Sequence, residues 1–188
     1  MKGTHTDSRV DEYLNRMKDG DSEAMASLYD CTYRGLYALC YSYFHNQYDS
    51  EDALSDTYLK VQTEIDRFYG KDGYAWMSTI ARNICLNKLK RESRTVSVDF
   101  TDEACINAHG ISEEDESQTV GDESDIVSVA RSVLNETEFR ILIQHAVAER
   151  KFRDIAADLG KLETTVRWQY HQALKKVRNA CEGRGMTG

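Results

Sequence analysis

Residues 152–176 read F-R-D-I-A-A-D-L-G-K-L-E-T-T-V-R-W-Q-Y-H-Q-A-L-K-K, and this stretch decides the fold of the C-terminal third. Ala156 is small, which suits a point where two helices cross closely, and Gly160 supplies a permissive turn position. Val166 is spaced to pack back between the two helices. Three further apolar side chains support it: Ile155, Leu159 and Leu162. This spacing is typical of a helix-turn-helix unit, which presents its second helix to the major groove of DNA.

The second helix of this unit carries the candidate DNA contacts. Six side chains are candidates to reach bases or phosphates: Thr164, Thr165, Arg167, Trp168, His171 and Lys175. Arg167 and Lys175 are the strongest of them, because cations near phosphate dominate affinity for nucleic acid. We expect His171 to make a polar contact, since no nucleophile or carboxylate is placed with it. Upstream, Asn135 and Glu138 have the spacing of a capping box that opens another helix.

The charge of the chain is unevenly distributed. The formal net charge is −8, yet residues 95–130 hold ten acidic side chains and no Lys or Arg, so the remaining residues sum to +2. Residues 95–125 lack apolar periodicity and cannot bury enough surface to offset the entropy of ordering. They are therefore predicted to be a flexible acidic linker. The predicted fold is all-α, with two small helical domains over 8–94 and 126–182.

In the N-terminal half, apolar periodicity predicts helices over 22–45, 51–68 and 74–92, with a Gly-flanked turn at 70–73. The second of these helices has the most regular pattern. Its apolar residues step by four and three alternately: Leu54, Tyr58, Val61, Ile65 and Phe68.

An acidic face lies opposite that stripe. We define it by five residues: Glu51, Asp52, Ser55, Asp56 and Leu59. Asp52 and Asp56 are four residues apart, where like charges repel and slightly weaken an isolated helix. The face has two interpretations, a solvated helix surface or a docking surface for a basic partner.

The third helix combines aromatic, amide and cationic groups, which is what contact with DNA backbone and bases requires. One side carries Trp76, Ile80, Asn83, Asn87, Lys90 and Arg94, with Arg82, Lys88 and Arg91 flanking it. A second stripe, Met77, Ala81, Ile84, Cys85 and Leu89, is expected to face the core. The basic end also suits the helix dipole, so a purely structural interpretation stays open. Trp76 is expected in the core.

Other classes of site are not indicated. The five cysteines include no C-x-x-C pair and no neighbouring His at zinc-ligand spacing, and Cys40 and Cys85 are expected to be buried thiols. No Gly-rich phosphate loop or nucleophile motif appears, so we predict no catalytic residue, metal or cofactor. The apolar runs are too short to span a bilayer and no signal peptide is visible, so we expect a cytoplasmic protein without membrane insertion.

Three blocks together resemble the extracytoplasmic-function sigma factors, the smallest promoter-specificity subunits of bacterial RNA polymerase. D-S-E-D-A-L-S-D-T-Y-L-K-V at 49–61 resembles the family's polymerase-binding helix. Y-A-W-M-S-T-I-A-R-N-I-C-L-N-K-L-K-R at 74–91 resembles its −10 element reader, and 134–178 resembles its −35-reading domain. Trp168, together with Gln169 and Gln172, departs from the small or arginine residues usual in the family. The promoter sequences that other members recognise therefore cannot be assigned to this chain.

The resemblance implies a role for each feature. The acidic face would dock on the basic coiled coil of the core polymerase clamp. The −10 promoter element would be engaged by Arg82, Asn83, Asn87, Lys88, Lys90, Arg91 and Arg94, and the turn at 68–73 would hold a base flipped from the opened strand. The six residues of the helix-turn-helix would read the −35 element. The linker would run through the polymerase towards the RNA path, and an anti-sigma factor would clamp both domains.

Two other functions compete with this interpretation. A stand-alone helix-turn-helix regulator would explain 150–178 but would leave the 49–61 and 74–91 blocks without a role. An enzyme carrying a DNA-binding tail would need a catalytic motif that the sequence does not show.

Overall fold

The computed structural model describes residues 5–96 and 126–183, without the side chains of 5–7, 92 and 94–96. The described residues form eight α-helices and one 3-10 turn and contain no β-strand, which confirms the predicted all-α class. The helices are α1 His5–Lys18, α2 Ala24–Phe44, α3 Gln47–Thr63, α4 Gly73–Val96, α5 Ile126–Val133, α6 Glu136–Ala146, α7 Phe152–Leu159 and α8 Glu163–Gly183, with the 3-10 turn Ile65–Arg67 after α3. Of the predicted linker, 97–125 lies outside the described residues.

The three helices predicted in the N-terminal half are all present. The predicted stripe of α3 is buried, since Leu54, Tyr58 and Val61 are at most 5% exposed. The helix ends at Thr63 rather than at 68, and the 3-10 turn continues the chain so that Phe68 still reaches the core at 1% exposure. Inside this core, the hydroxyls of Tyr58 and Thr32 are 2.7 Å apart, and burial raises the pKa of Tyr58.

Helix α1 is not predicted by the apolar periodicity. It buries two apolar side chains one turn apart, Val10 and Leu14, both 0% exposed. The carboxylate Oδ1 of Asp11 also accepts a hydrogen bond from the backbone N–H of Gly73 at 2.6 Å. Because Gly73 opens α4, this contact ties α1 to the start of the helix that carries the candidate −10 residues.

The C-terminal half begins with two predicted features in place. Asn135 Oδ1 accepts from the Glu138 N–H at 2.9 Å, and Glu138 Oε2 accepts from the Asn135 N–H at 3.3 Å, which confirms the capping box of α6. In the helix-turn-helix, Ala156 and Val166 are buried and Gly160 adopts a left-handed conformation with φ 60°. The turn and its packing are therefore as predicted.

Leu162 was expected to support this packing, and that prediction is wrong. Its side chain is 74% exposed. The Leu162 carbonyl accepts from the Val166 N–H at 3.1 Å, so Leu162 precedes the first full turn of α8. A residue there is not yet on the inward face of the helix, and its side chain extends into solvent.

The two halves of the chain pack directly against each other. Phe139, Leu142 and Ile143 of α6 join the same apolar core as α2. Arg140 Nε donates to the Ser42 carbonyl at 2.8 Å, and Gln144 Nε2 donates to the Tyr43 hydroxyl at 3.0 Å. These contacts hold the helix-turn-helix beside α4.

Candidate functional surfaces

The acidic face of α3 is assembled as expected on one exposed side of the helix. Glu51, Asp52 and Ser55 are exposed, and Asp56 is partly exposed. Leu59, at the end of the face, is 61% exposed although it is apolar. A carboxylate row ending in an exposed leucine is suited to a partner that offers both cations and apolar surface.

Lys88 of α4 reaches across to this acidic face. Its Nζ lies 2.8 Å from Asp56 Oδ2 and also contacts Asp52 Oδ2. Burial lowers the pKa of Lys88, but the hydrogen bonds and charges of Asp52 and Asp56 outweigh that effect and raise it overall. One residue of the predicted −10 set therefore neutralises part of the predicted polymerase-binding set.

The other candidate −10 residues differ in their surroundings. Asn83, Asn87, Lys90 and Arg91 are exposed along α4. Arg82 instead turns towards the C-terminal half and is only 25% exposed. The side chain of Arg94 lies outside the described residues. Trp76 packs beside Phe68 with ring centroids 5.5 Å apart, which agrees with its expected place in the core.

The turn before α4 presents an aromatic side chain that the sequence reasoning did not single out. Tyr69 is 93% exposed, between buried Phe68 and Gly70, which adopts φ 85°. The loop is anchored to α1, because Lys18 Nζ donates to the Phe68 carbonyl at 3.1 Å. In the sequence, the available sign that Tyr69 is exposed was its position outside the apolar stripe that includes Phe68. An exposed ring on an anchored loop can stack on an unpaired base.

The predicted −35 contacts lie together on the outer face of α8. Six residues are exposed there: Thr164, Thr165, Arg167, Trp168, His171 and Lys175. Trp168 is 62% exposed, while Val166, Ala173 and Val177 are buried on the opposite face. Arg167 Nη2 lies 2.6 Å from Glu163 Oε1, one turn earlier on the same helix. The described geometry leaves this face open to a groove of duplex DNA.

A cluster of three charged residues, Arg82, Arg150 and Asp158, joins α4 to the helix-turn-helix. The sequence analysis did not single out Arg150 or Asp158. Asp158 of α7 accepts from Arg82 Nη2 at 3.0 Å and 2.8 Å, and from Arg150 Nη1 at 2.7 Å. Burial raises the pKa of Asp158, but the hydrogen bonds from both arginines outweigh it and lower the pKa overall. Residues 82 and 158 are far apart in sequence, so no local pattern signals their pairing.

The described residues give little support to other kinds of site. No group of His, Cys, Asp and Glu among them could hold a metal ion. None of the described helices has the length and apolar character needed to cross a membrane. Cys40 and Cys85 are both 0% exposed, as predicted. The neighbouring Cys40 thiol and burial raise the pKa of Cys85, which makes its thiol unreactive.

Comparison with known proteins identifies a domain family in the N-terminal half of the chain. The family described as Sigma-70 region 2 matches residues 28–95, which include both the acidic face and most of α4. Residues 28–95 therefore form a Sigma-70 region 2 domain, and the chain has a homologue among the extracytoplasmic-function sigma factors. A curated member, the ECF RNA polymerase sigma factor BldN of Streptomyces coelicolor, is 32% identical over 85 residues. That alignment covers 44% of this chain and 32% of BldN, about a third of the relative's length.

Solved structures of sigma factors are also similar to this chain. RpoE, in complex with the anti-sigma factor NepR from Bartonella quintana, has 19% identity and a TM-score of 0.49, and the match covers 84% of this chain and 96% of RpoE. CnrH, in complex with the cytosolic domain of CnrY, has 15% identity and a TM-score of 0.49, covering 93% and 98%. BldN in the RsbN–BldN complex has 20% identity and a TM-score of 0.35, covering 88% and 97%.

Proposed function

We propose that this protein is a sigma factor, a non-enzymatic subunit that directs promoter-specific transcription from core RNA polymerase. It binds the core through the acidic face, reads the −10 element with α4 and the Tyr69 loop, and reads the −35 element with α8. It acts where the polymerase is, in the cytoplasm, under the control of an anti-sigma factor. The domain boundaries 8–94, 95–125 and 126–182 are part of this proposal.

One observation carries the proposal most directly. The segment that matches Sigma-70 region 2 places an exposed carboxylate face on α3 beside a row of exposed amides and cations on α4. These two surfaces attract partners of opposite charge, a basic protein and the phosphates of DNA. A single small domain that binds both is what a promoter-specificity subunit requires.

The helix-turn-helix supports the second half of the proposal. Its recognition helix α8 is 21 residues long, and its six candidate contacts share one exposed face. Arg167 and Lys175 supply phosphate contacts there, and Trp168 adds an exposed apolar ring suited to the methyl group of thymine. Phosphate and base contacts would therefore come from the same face of one helix.

The test is reconstitution with purified core RNA polymerase. We expect the chain to co-elute with the core in gel filtration, and the Asp52→Lys/Asp56→Lys variant to lose most of this binding. The variant should stay folded, with its stability lowered by about 1–2 kcal/mol because two exposed ion pairs with Lys88 are lost. The matched control reverses two exposed carboxylates elsewhere, Asp19→Lys/Asp66→Lys, and should co-elute normally. A chain that ignores the core but binds duplex DNA tightly by itself would instead be a stand-alone regulator.

A further inference from the structure

One face of α1 carries three polar side chains that contact the loop presenting Tyr69. Asp11, Asn15 and Lys18 follow one another at steps of four and three residues, the spacing of neighbours on one helical face. Helix α1 lies outside residues 28–95, the segment that matches Sigma-70 region 2. It nevertheless reaches both ends of the loop that joins the 3-10 turn to α4.

Lys18 holds the end of the loop that precedes Tyr69. Its Nζ donates to the Phe68 carbonyl at 3.1 Å and lies 3.4 Å from the Asp66 carbonyl oxygen. Hydrogen bonds from an ammonium group are stronger than those between neutral groups. Phe68 is 1% exposed and Tyr69 is 93% exposed, so the backbone is fixed directly before the exposed ring.

Asp11 holds the other end of the loop, where α4 begins. Its Oδ1 accepts from the Gly73 N–H at 2.6 Å, and this N–H is one of the donors at a helix N-terminus that have no partner within the helix. The negative charge also suits the positive end of the helix dipole. The close approach needs a glycine, because a Cβ at position 73 would stand 2.7 Å from Asp11 Oδ1 and 2.5 Å from Leu14 Cδ1. Asp11 therefore caps α4 from a neighbouring helix.

Between these two anchors the loop has two residues in the left-handed region. Gly70 adopts φ 85° and Asp72 adopts φ 58°. A residue other than glycine keeps such a conformation when the surrounding contacts hold it there. Asn15 Oδ1 lies 3.6 Å from where a Cβ of Gly70 would stand, so α1 also packs against the middle of the loop. A loop held in one conformation captures a ligand at a lower entropic cost than a mobile loop does.

We propose that Asp11 and Lys18 are positioning residues for promoter opening, which hold the loop 68–73 so that the Tyr69 ring is ready to receive an unpaired base of the −10 element. The inference rests on the proposed function, because it takes Tyr69 as the base contact. Asp11 and Lys18 act through the loop and not by contact with DNA. Their effect on opening therefore depends on the presence of the Tyr69 ring.

The first test measures whether the anchors order the loop in the free protein. Backbone order parameters from nuclear magnetic resonance relaxation should be about 0.85 for residues 69–72 of the parent and should fall below about 0.6 in Lys18→Met, which keeps the aliphatic stem and deletes the ammonium group. The matched control, Arg9→Met, removes one positive charge from an exposed position of the same helix and should keep the parent values. A loop that stays ordered in Lys18→Met, or that is equally mobile in the control, would overturn the proposal.

The second test measures promoter opening with core RNA polymerase, on a template that the parent opens. Lys18→Met and Asp11→Ala should each slow the appearance of permanganate-reactive thymines about fivefold, the worth of one hydrogen bond. Asp11→Asn keeps the acceptor oxygen and should stay within about twofold of the parent. Core binding in gel filtration should be unchanged in all three variants, and circular dichroism melts check that they are folded.

A double-mutant cycle with Tyr69→Ala decides whether the anchors act through the ring. In the Tyr69→Ala background, Lys18→Met should slow opening by less than about twofold further, because the group that Lys18 positions is gone. An undiminished loss in that background would mean that Lys18 contacts DNA or supports the fold in another way, and the proposal would be wrong. A parent that opens no template with core would instead refute the proposed function.

Discussion

Removing the positive charge of Lys88 should weaken folding and strengthen polymerase binding at the same time. Lys88 bridges Asp52 and Asp56, with its side chain 22% exposed and theirs 58% and 45%. Lys88→Met keeps the aliphatic stem and deletes only the ammonium group. The acidic face then loses its internal cation, so its attraction for a basic partner rises, while α4 loses a candidate DNA contact.

The cost in stability follows from the same geometry. Each ion pair with a half-exposed carboxylate contributes about 0.2–1 kcal/mol. The repulsion between Asp52 and Asp56 that Lys88 masks adds about 0.2–0.5 kcal/mol. We therefore expect Lys88→Met to lower the free energy of unfolding by about 1 kcal/mol at low ionic strength. Salt should shrink this difference, because exposed charges are screened.

The contribution of Lys88 to the free energy of unfolding depends on pH in a definite direction. The pKa of Lys88 is raised in the folded protein. Its contribution is therefore complete below the unfolded value of about 10.4 and is lost as the pH rises through the higher folded value. Urea denaturation of parent and Lys88→Met should give a constant difference from neutral pH to about pH 9, and a smaller one above about pH 10.5.

Two results would refute this reasoning. A stability difference that is insensitive to salt and to alkaline pH would mean that packing of the stem, and not charge, holds Lys88. A loss of core polymerase binding in Lys88→Met would mean that Lys88 supports the acidic face as a docking surface and does not compete with it. The matched control, Lys90→Met, changes an exposed lysine on the same helix and should leave core binding unchanged.

Three further outcomes are expected. Arg167→Ala should lower transcription from promoters that depend on the −35 element by about tenfold, the worth of one charged DNA contact, and leave core binding intact by gel filtration. Tyr69→Ala should slow promoter opening, measured by permanganate reactivity of unpaired thymines, while the free energy of unfolding changes by less than about 0.5 kcal/mol because the ring is exposed. Asn135→Ala should cost about 1 kcal/mol in thermal unfolding by removing the cap of α6, with Asn179→Ala as the exposed control.

Local patterns predicted the helices well because their causes are local. The stepping of Leu54, Tyr58 and Val61 reflects the helical period, and the Asn135–Glu138 pair satisfies backbone groups only three residues away. Gly160 and Val166 could be placed because a helix-turn-helix needs a left-handed turn and a buried residue at fixed spacing. Such features require no knowledge of distant parts of the chain.

Features that depend on distant contacts were missed or misjudged. Helix α1 has only Val10 and Leu14 fully buried, which is too weak a stripe to stand out in a charged segment. The pairing of Arg82 with Asp158, and of Lys88 with Asp52, depends on how α4 meets α7 and α3. Sequence reasoning placed these cations correctly on one helix, but it could not show that carboxylates from elsewhere in the chain already hold two of them.

Promoter-directed transcription with purified core RNA polymerase tests the central claim most directly. Run-off assays on a pool of promoter templates should yield discrete start sites only when this protein is present. Asp52→Lys/Asp56→Lys should abolish them, whereas Asp19→Lys/Asp66→Lys should not. Absence of any sigma-dependent transcript across templates, with folded protein and active core, would contradict the account.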